Sequence, residues 1–189
     1  MVTRAESAAI TRRALLAAAA TLLDQGGTDA VTLREVGALA GVSRGAPYGH
    51  FTDKENLLTA VAVEQWNRMT EKLSALQSEA NLSTKDRLRS ALIATIDVAR
   101  NRPHLYALMF TTPSRDPELL IDAASGSQDI FLAIVAELVG NDAARRYGAL
   151  LMSTAHGIAG MEHSGQLNES KWGTTGDSLV DMLIGLLDK

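Results

Sequence analysis

The chain has 189 residues and a mass of 20.1 kDa, enough for one compact domain or for a small domain joined to a larger one. Apolar residues at 46% and charged residues at 21% exclude a disordered chain, and aromatics at only 4% argue against a β-sandwich. The absence of cysteine excludes disulfides, thiolate metal sites and a Cys nucleophile, and a net charge of −4 leaves nucleic-acid binding only to a local surface.

The first predicted element is an Ala-rich helix over roughly 5–25. Leu15, Ala18, Ala19 and Leu22 recur at i, i+3, i+4 and i+7 and make one packed stripe. The run Ala14 to Leu23, behind Arg12 and Arg13, also has the apolar core of a secretion signal. Glu6 interrupts its basic stretch, however, and Asp24-Gln25-Gly26-Gly27 offers no small-residue cleavage site. No other stretch reaches the ~20 apolar residues of a bilayer span, so the sequence predicts a soluble, cytoplasmic protein with no membrane partner.

Three segments read as capping boxes: Thr32-Leu33-Arg34-Glu35, Thr52-Asp53-Lys54-Glu55 and Ser83-Thr84-Lys85-Asp86. Gly26-Gly27, Gly41, Asn101-Arg102-Pro103 and Gly140 mark ends. Between these signals lie short helices near 32–39 and 43–50. Longer ones follow near 53–79, 84–101, 103–111, 116–139, 142–167 and 175–188. The stretch Ala123-Ala124-Ser125-Gly126-Ser127 is the weakest point and an expected break in its helix. No run alternates with period two. The fold class is all-α, with an N-terminal three-helix head, a larger C-terminal helical bundle and about nine helices in all. The helix from Thr52 carries Leu58, Ala62, Trp66, Met69, Leu73 and Leu76 on one face and is the natural joint.

The most informative stretch is Thr32 to Glu55, TLREVGALAGVSRGAPYGHFTDKE. It reads as two short helices joined at Gly41, which supplies the positive φ of the turn, while Val36, Leu39 and Val42 lock them at a steep angle. Gly37 lets the second helix approach the first. Ser43 is the expected cap of that second helix, whose exposed side carries Arg44, Gly45, Tyr48 and His50. This is helix-turn-helix chemistry: a helix small enough for a major groove, an N-terminus with free amides, and a polar face of donors. An unrelated helical hairpin with a Gly turn would show the bare pattern too.

More features coincide here. Residues 8–62 resemble the DNA-binding head of the TetR (tetracycline-repressor) family of bacterial transcription regulators. The resemblance runs from Arg12…Leu15-Leu16…Ala19…Leu22-Leu23…Gly26 through Thr32-Leu33-Arg34-Glu35-Val36 and Gly41-Val42-Ser43-Arg44-Gly45. It continues through Tyr48-Gly49-His50-Phe51 to Lys54-Glu55 and Leu57-Leu58. It implies a phosphate contact at Thr32, base reading by Arg44 and Gly45, and phosphate bonds from Tyr48, His50 and Lys54. Ser43 opens the same face, and Phe51 is implied as the buried anchor. Two positions depart from the family: Pro47 stands where Leu is common, and Gly49 where His, Tyr or Arg is frequent. A helix so poor in side chains leans on Arg44, on backbone approach at Gly45 and on DNA shape. Residues 1–58 hold six basic side chains (Arg4, Arg12, Arg13, Arg34, Arg44, Lys54) against six acids (Glu6, Asp24, Asp29, Glu35, Asp53, Glu55). The head is therefore neutral and the rest of the chain carries the whole −4. Modest non-specific affinity and a need for dimerisation follow.

The resemblance divides the chain into a DNA-binding domain, 1–55, and a ligand-binding and dimerisation domain, 56–189. Asn101-Arg102-Pro103-His104-Leu105-Tyr106-Ala107-Leu108-Met109-Phe110 and Ala155-His156-Gly157-Ile158-Ala159-Gly160-Met161-Glu162 are similar to the subgroup with a Trp-His-Gly signature, Ala155 replacing the Trp. A homodimer through the last two helices is implied. Tyr147, Leu150, Leu151, Thr154, Ile158 and Met161 supply its apolar face together with Leu179, Met182, Leu183 and Leu186, while Gly157 and Gly160 allow close approach. An effector pocket would be lined by Trp66, Met69, Tyr106, Met109, Phe110, Phe131, Met152 and His156, although such residues at helical spacing are also ordinary core. His156 and His163 lie two turns apart, ~10.5 Å along a helix, too far for one ion, so no metal or other cofactor is expected and His156 is read as a core or pocket hydrogen-bonder.

The function expected from these features is a non-enzymatic regulator. It is a ligand-released repressor that binds a palindromic double-stranded operator as a homodimer and answers to a small-molecule effector. The rival readings are an all-α enzyme, which no nucleophile, nucleotide or metal motif supports, and a small-molecule-binding helical protein that has lost specific DNA binding.

Overall fold

Residues 3–187 are described in a computed structural model. Nine α-helices and two short 3₁₀ turns account for the regular structure, with no strand among the described residues. In chain order the helices are α1 (Arg4–Gly26), α2 (Leu33–Leu39), α3 (Lys54–Ser78), α4 (Thr84–Asn101), α5 (Pro103–Met109), α6 (Pro117–Val139), α7 (Asn141–His163), α8 (Glu169–Trp172) and α9 (Gly176–Gly185). The 3₁₀ turns are Thr28–Ala30 and Pro47–Gly49. The all-α reading and its division into many helices hold.

Local chemistry sets the ends. Thr3 and Glu6 form a complete reciprocal capping box on α1, at a place the sequence reading passed over. Thr32 caps α2 by accepting from the Glu35 amide, and Ser83 caps α4 by accepting from the Asp86 amide, both at 3.2 Å. For α3 the expected cap shifts by one residue. Asp53, not Thr52, accepts from the Asn56 amide at 2.8 Å, because the helix begins at Lys54 and Thr52 lies outside the capping position.

Three further expectations are corrected. The segment 43–50 is not an α-helix but a turn at 44–46 followed by the 3₁₀ turn Pro47–Gly49. Pro47 has no amide to give the Ser43 carbonyl, so that carbonyl accepts from Ala46 instead, and Gly49 and His50 continue with three-residue spacing. Gly45 and Gly49 lower helix propensity on either side. Helix α6, in contrast, runs unbroken through Gly126, and within it the Ser127 hydroxyl donates to the Ala124 carbonyl at 2.9 Å. Finally, α7 stops at His163 because Gly165 takes φ +69° and its amide caps Glu162, and the chain then makes the unforeseen α8. Of the expected last helix, residue 188 lies outside the described residues.

One expectation on membranes also changes. Helix α6 is long and apolar enough to cross a bilayer by length and composition alone. It nevertheless carries Asp122 and Asp129, and Ser127, Phe131, Ile134 and Val135 are buried.

The chain forms two compact units. One holds the chain up to Gln65 together with His104–Ile121, and the other holds Trp66–Pro103 and the chain from Asp122 on. In the first unit, Leu15, Leu16, Ala18, Ala19 and Leu23 of α1 pack with Val31, Val36, Phe51, Leu57 and Leu105, so the expected stripe on α1 is buried except for Leu22, which is half-buried. In the second, α4 packs on α7 and α9 through Leu88, Leu92, Ile96, Leu151, Ala155, Ile158, Val180 and Ile184. Arginines tie that unit at its margins. Arg100 bridges Glu162 and Asp177, each at 2.7 Å, and Asp97 at 3.2 Å; Arg89 meets Asp181 at 2.6 Å, and Arg87 meets Glu137 at 3.0 Å.

Candidate nucleic-acid interface

The helix-turn-helix begins at α2, whose exposed N-cap is Thr32. The turn after α2 has the conformation the sequence required: Gly41 sits at φ +68° and the Val42 amide returns to the Gly37 carbonyl at 3.1 Å. Gly37 is where the second element comes closest. A Cβ there would stand 2.8 Å from Cγ of Pro47, so the proline ring lies directly on the backbone of α2. Pro47 is buried and thus fills the aliphatic anchoring position, while it also prevents a regular helix.

This short, tightly seated segment turns its remaining side chains outward. Ser43, Arg44 and Gly45 are exposed, Tyr48 is 62% exposed, and His50 is half-buried beside Phe51 with ring centroids 6.4 Å apart. Phe51 itself is fully buried under the Arg12 guanidinium, which lies 5.4 Å above its ring. Lys54 opens α3, half-buried. Neither Arg44 nor Lys54 has a carboxylate partner among the described residues, so both charges are available to a partner outside the chain. A Cβ at Gly45 would meet nothing within 4 Å, so internal packing does not demand a glycine there.

The first turn of α3 is held by contacts that the sequence did not reveal. The Glu55 carboxylate accepts from the backbone amide and the hydroxyl of Ser114, the latter at 2.6 Å. Arg115 meets Asp53 at 2.8 Å. These hydrogen bonds, the Ser114 hydroxyl first, hold the Glu55 carboxyl below its ordinary range and keep it charged. The partners lie some sixty residues apart in sequence, and no motif links them.

The residues expected to line an effector pocket fall in both units. Tyr106 and Met109 are buried in the first, with Phe110 exposed and its ring 4.9 Å from that of Tyr106. Burial pushes the Tyr106 hydroxyl up to about 12. Trp66, Met69 and Phe131 are buried in the second unit and Met152 is half-buried there. His156 is exposed rather than in the core, because the buried stripe of α7 runs through Gly148, Leu151, Ala155 and Ile158. None of the eight lines the cleft of about 420 Å³ that opens in the first unit between α3 and the Leu108–Leu120 segment.

Residues 15–61 match the bacterial regulatory proteins of the tetR family, and residues 88–187 match the tetracyclin repressor-like C-terminal domain. Among curated proteins none matches. A protein of unknown function from Rhodococcus sp. RHA1 is 30% identical over 94% of this chain and 93% of its own, with a TM-score of 0.79. A TetR transcriptional regulator from the same organism is 24% identical (95% and 96% covered, TM-score 0.60). The transcriptional regulator FadR from Bacillus subtilis, in complex with stearoyl-CoA, is 16% identical (93% and 96% covered, TM-score 0.67) and shares the fold. With both halves of the chain matched, this protein belongs to the tetR family of bacterial regulatory proteins and is a transcriptional regulator.

Proposed function

We propose that the protein is a ligand-released repressor that binds a palindromic operator as a homodimer. The observation that carries the reading is that Arg44 and Lys54, at the recognition segment of the helix-turn-helix and just after it, have no carboxylate partner among the described residues. Thr32, Ser43, Gly45, Tyr48 and His50 join them as the DNA-contacting set. Residues 1–55 act on DNA, and residues 56–189 bind the effector and the partner chain. Because the recognition segment is a short 3₁₀ turn, Arg44 reads a base edge, the backbone at Gly45 lies against the groove, and DNA shape supplies the rest.

The dimer uses the apolar surface of α7 and α9. Tyr147, Leu150, Met182 and Leu186 are exposed there, while Leu151 and Ile158 are committed to the unit's own core. Helix α7 also carries Ala155-His156-Gly157, which supports a relation to the Trp-His-Gly subgroup; Ala155 is buried. The effector site in the second unit draws on Trp66, Met69, Phe131 and Met152. Recognition elements must sit ~34–36 Å apart to enter successive major grooves, so an effector that favours another spacing releases both at once. A regulator of this kind works in the cytoplasm and catalyses nothing.

The test is a gel shift of the full chain with DNA from its own upstream region at two salt concentrations. A specific shift that weakens with salt, with a two-fold footprint, supports the reading. Sedimentation of the DNA-free protein as a monomer would overturn the dimer. The neutral head and the missing recognition α-helix favour one alternative, a small-molecule-binding protein that no longer binds specific DNA. Genome-wide selection that returns no site would decide for it.

A further inference from the structure

The cleft in the first unit is lined on one side by the first turns of α3 and on the other by the segment that follows α5. Its volume of about 420 Å³ lies within the ~300–1,000 Å³ of small-molecule sites. Leu58, Ala62, Leu108 and Leu120 give it an apolar body. Two polar groups stand out from this lining. Thr59 is only 8% exposed and lines the cleft, and its hydroxyl has no partner among the described residues. Beyond the first turn of their helices, Thr21, Thr70, Thr95 and Thr154 each donate to the carbonyl four residues back, which Thr59 does not. A cleft-lining hydroxyl that no neighbouring group engages can donate to a bound ligand. Lys54 also lines the cleft, with no carboxylate partner among the described residues.

We propose that this cleft is a binding site for an amphiphilic monocarboxylate, whose apolar tail packs on Leu58 and Leu120 while its carboxylate meets Lys54 and the Thr59 hydroxyl. The charge argument selects a single negative charge. One cation is available, and Glu55 lines the same cleft with its carboxylate already held by Ser114, which disfavours a doubly charged phosphate. The regulatory consequence rests on the operator reading above: a carboxylate on Lys54 takes the cation from an operator phosphate. Ligand and DNA then exclude each other by direct competition for one ammonium group, with no change of spacing between recognition elements.

The test is calorimetric titration of decanoate into the full chain without DNA. The uncharged 1-decanol and the variants Lys54→Met, Thr59→Val and Thr112→Trp serve as controls. Thr112 is an exposed residue of the cleft wall, so the tryptophan fills the space without entering the core. Saturable binding of one decanoate per chain is expected, about tenfold weaker for decanol and for Lys54→Met, several-fold weaker for Thr59→Val and lost in Thr112→Trp. Equal binding of decanol, or decanoate binding unchanged in both Lys54→Met and Thr112→Trp, overturns the site. Circular dichroism of each variant separates misfolding from loss of the site, and Thr59→Val keeps the size of the side chain should Thr112→Trp fail to fold. Decanoate binding in a protein that shifts no DNA sinks the operator reading and leaves the cleft standing. Operator binding without decanoate binding does the reverse.

Discussion

Arg44 in the first unit and Arg100 in the second stand in opposite surroundings, and the contrast is one between an open charge and a satisfied one. In the second unit Arg87, Arg89 and Arg100 each reach carboxylates on distant helices, and Arg100 alone gathers Asp97, Glu162 and Asp177. These partners hold the Arg100 guanidinium firmly protonated, the hydrogen bond to Glu162 first. In the first unit Arg115 meets Asp53, but Arg44 stands exposed on the helix-turn-helix with no carboxylate partner among the described residues. A charge satisfied inside the chain stabilises the chain; one left open is available to a partner outside it.

The largest effect that would break this contrast is the double change Arg44→Ala with Lys54→Ala. Operator affinity is expected to fall by roughly a hundredfold or more, since each phosphate or base contact contributes ~1–3 kcal/mol and a dimer loses both copies. The salt dependence of binding should become shallower, because fewer phosphates are neutralised. Thermal stability should not move. Specific binding that survives both changes would mean that the recognition surface lies elsewhere.

Arg100→Ala tests the other half. It leaves Glu162, Asp177 and Asp97 together without their cation, at a site where the arginine is 30% exposed. Urea denaturation should show a loss of roughly 2 kcal/mol, with operator affinity of the folded protein unchanged. A variant that loses DNA binding at full stability would show that this network serves more than packing.

How far these two regimes were legible in the sequence depends on the distance between partners. Local signals carried well: Gly41 at the turn, Thr32 and Ser83 as caps, and the α1 stripe are read from residues within a few positions of one another. The open cations were legible as well, because motif and position name them. Pro47 misled, since its tolerance in a first turn suggested a helix where the missing amide gives 3₁₀ spacing. Nothing local announces that Arg100 meets residues 62 and 77 positions away, or that Ser114 holds Glu55. The cleft beside Lys54 was equally hidden, because its walls come from segments about fifty residues apart and only folding brings them together.

Gly37→Ala is a smaller probe, and it acts on the seat of the recognition segment rather than on its charges. The added methyl would press on the Pro47 ring at 2.8 Å, and a buried proline has little freedom to yield. We expect a loss of roughly 1–2 kcal/mol in urea denaturation and a several-fold loss of operator affinity, because the shift moves Arg44 and Tyr48 with the turn. Unchanged operator affinity would show that DNA re-seats the segment on binding.

The smallest effect belongs to the clip between Ser114 and Glu55, and its signature is pH. The Glu55 carboxyl titrates below its ordinary 4.5 in the folded chain because Ser114 donates to it. A lowered folded value means that the clip contributes fully above the ordinary carboxylate range and is lost as pH falls through the lowered value. Ser114→Ala should therefore cost the least of the three changes aimed at stability at pH 7, and its difference from the unaltered protein should vanish in strong acid. A difference that persisted after Glu55 was protonated would assign the stabilisation to the backbone turn around Asp116, which holds φ +48°, rather than to the charge. Operator affinity at neutral pH gives the second reading of the same variant. Because Glu55 follows Lys54 in the first turn of α3, loosening it should weaken DNA binding slightly through the position of that ammonium group, whereas an unaltered affinity would confine the clip to stability.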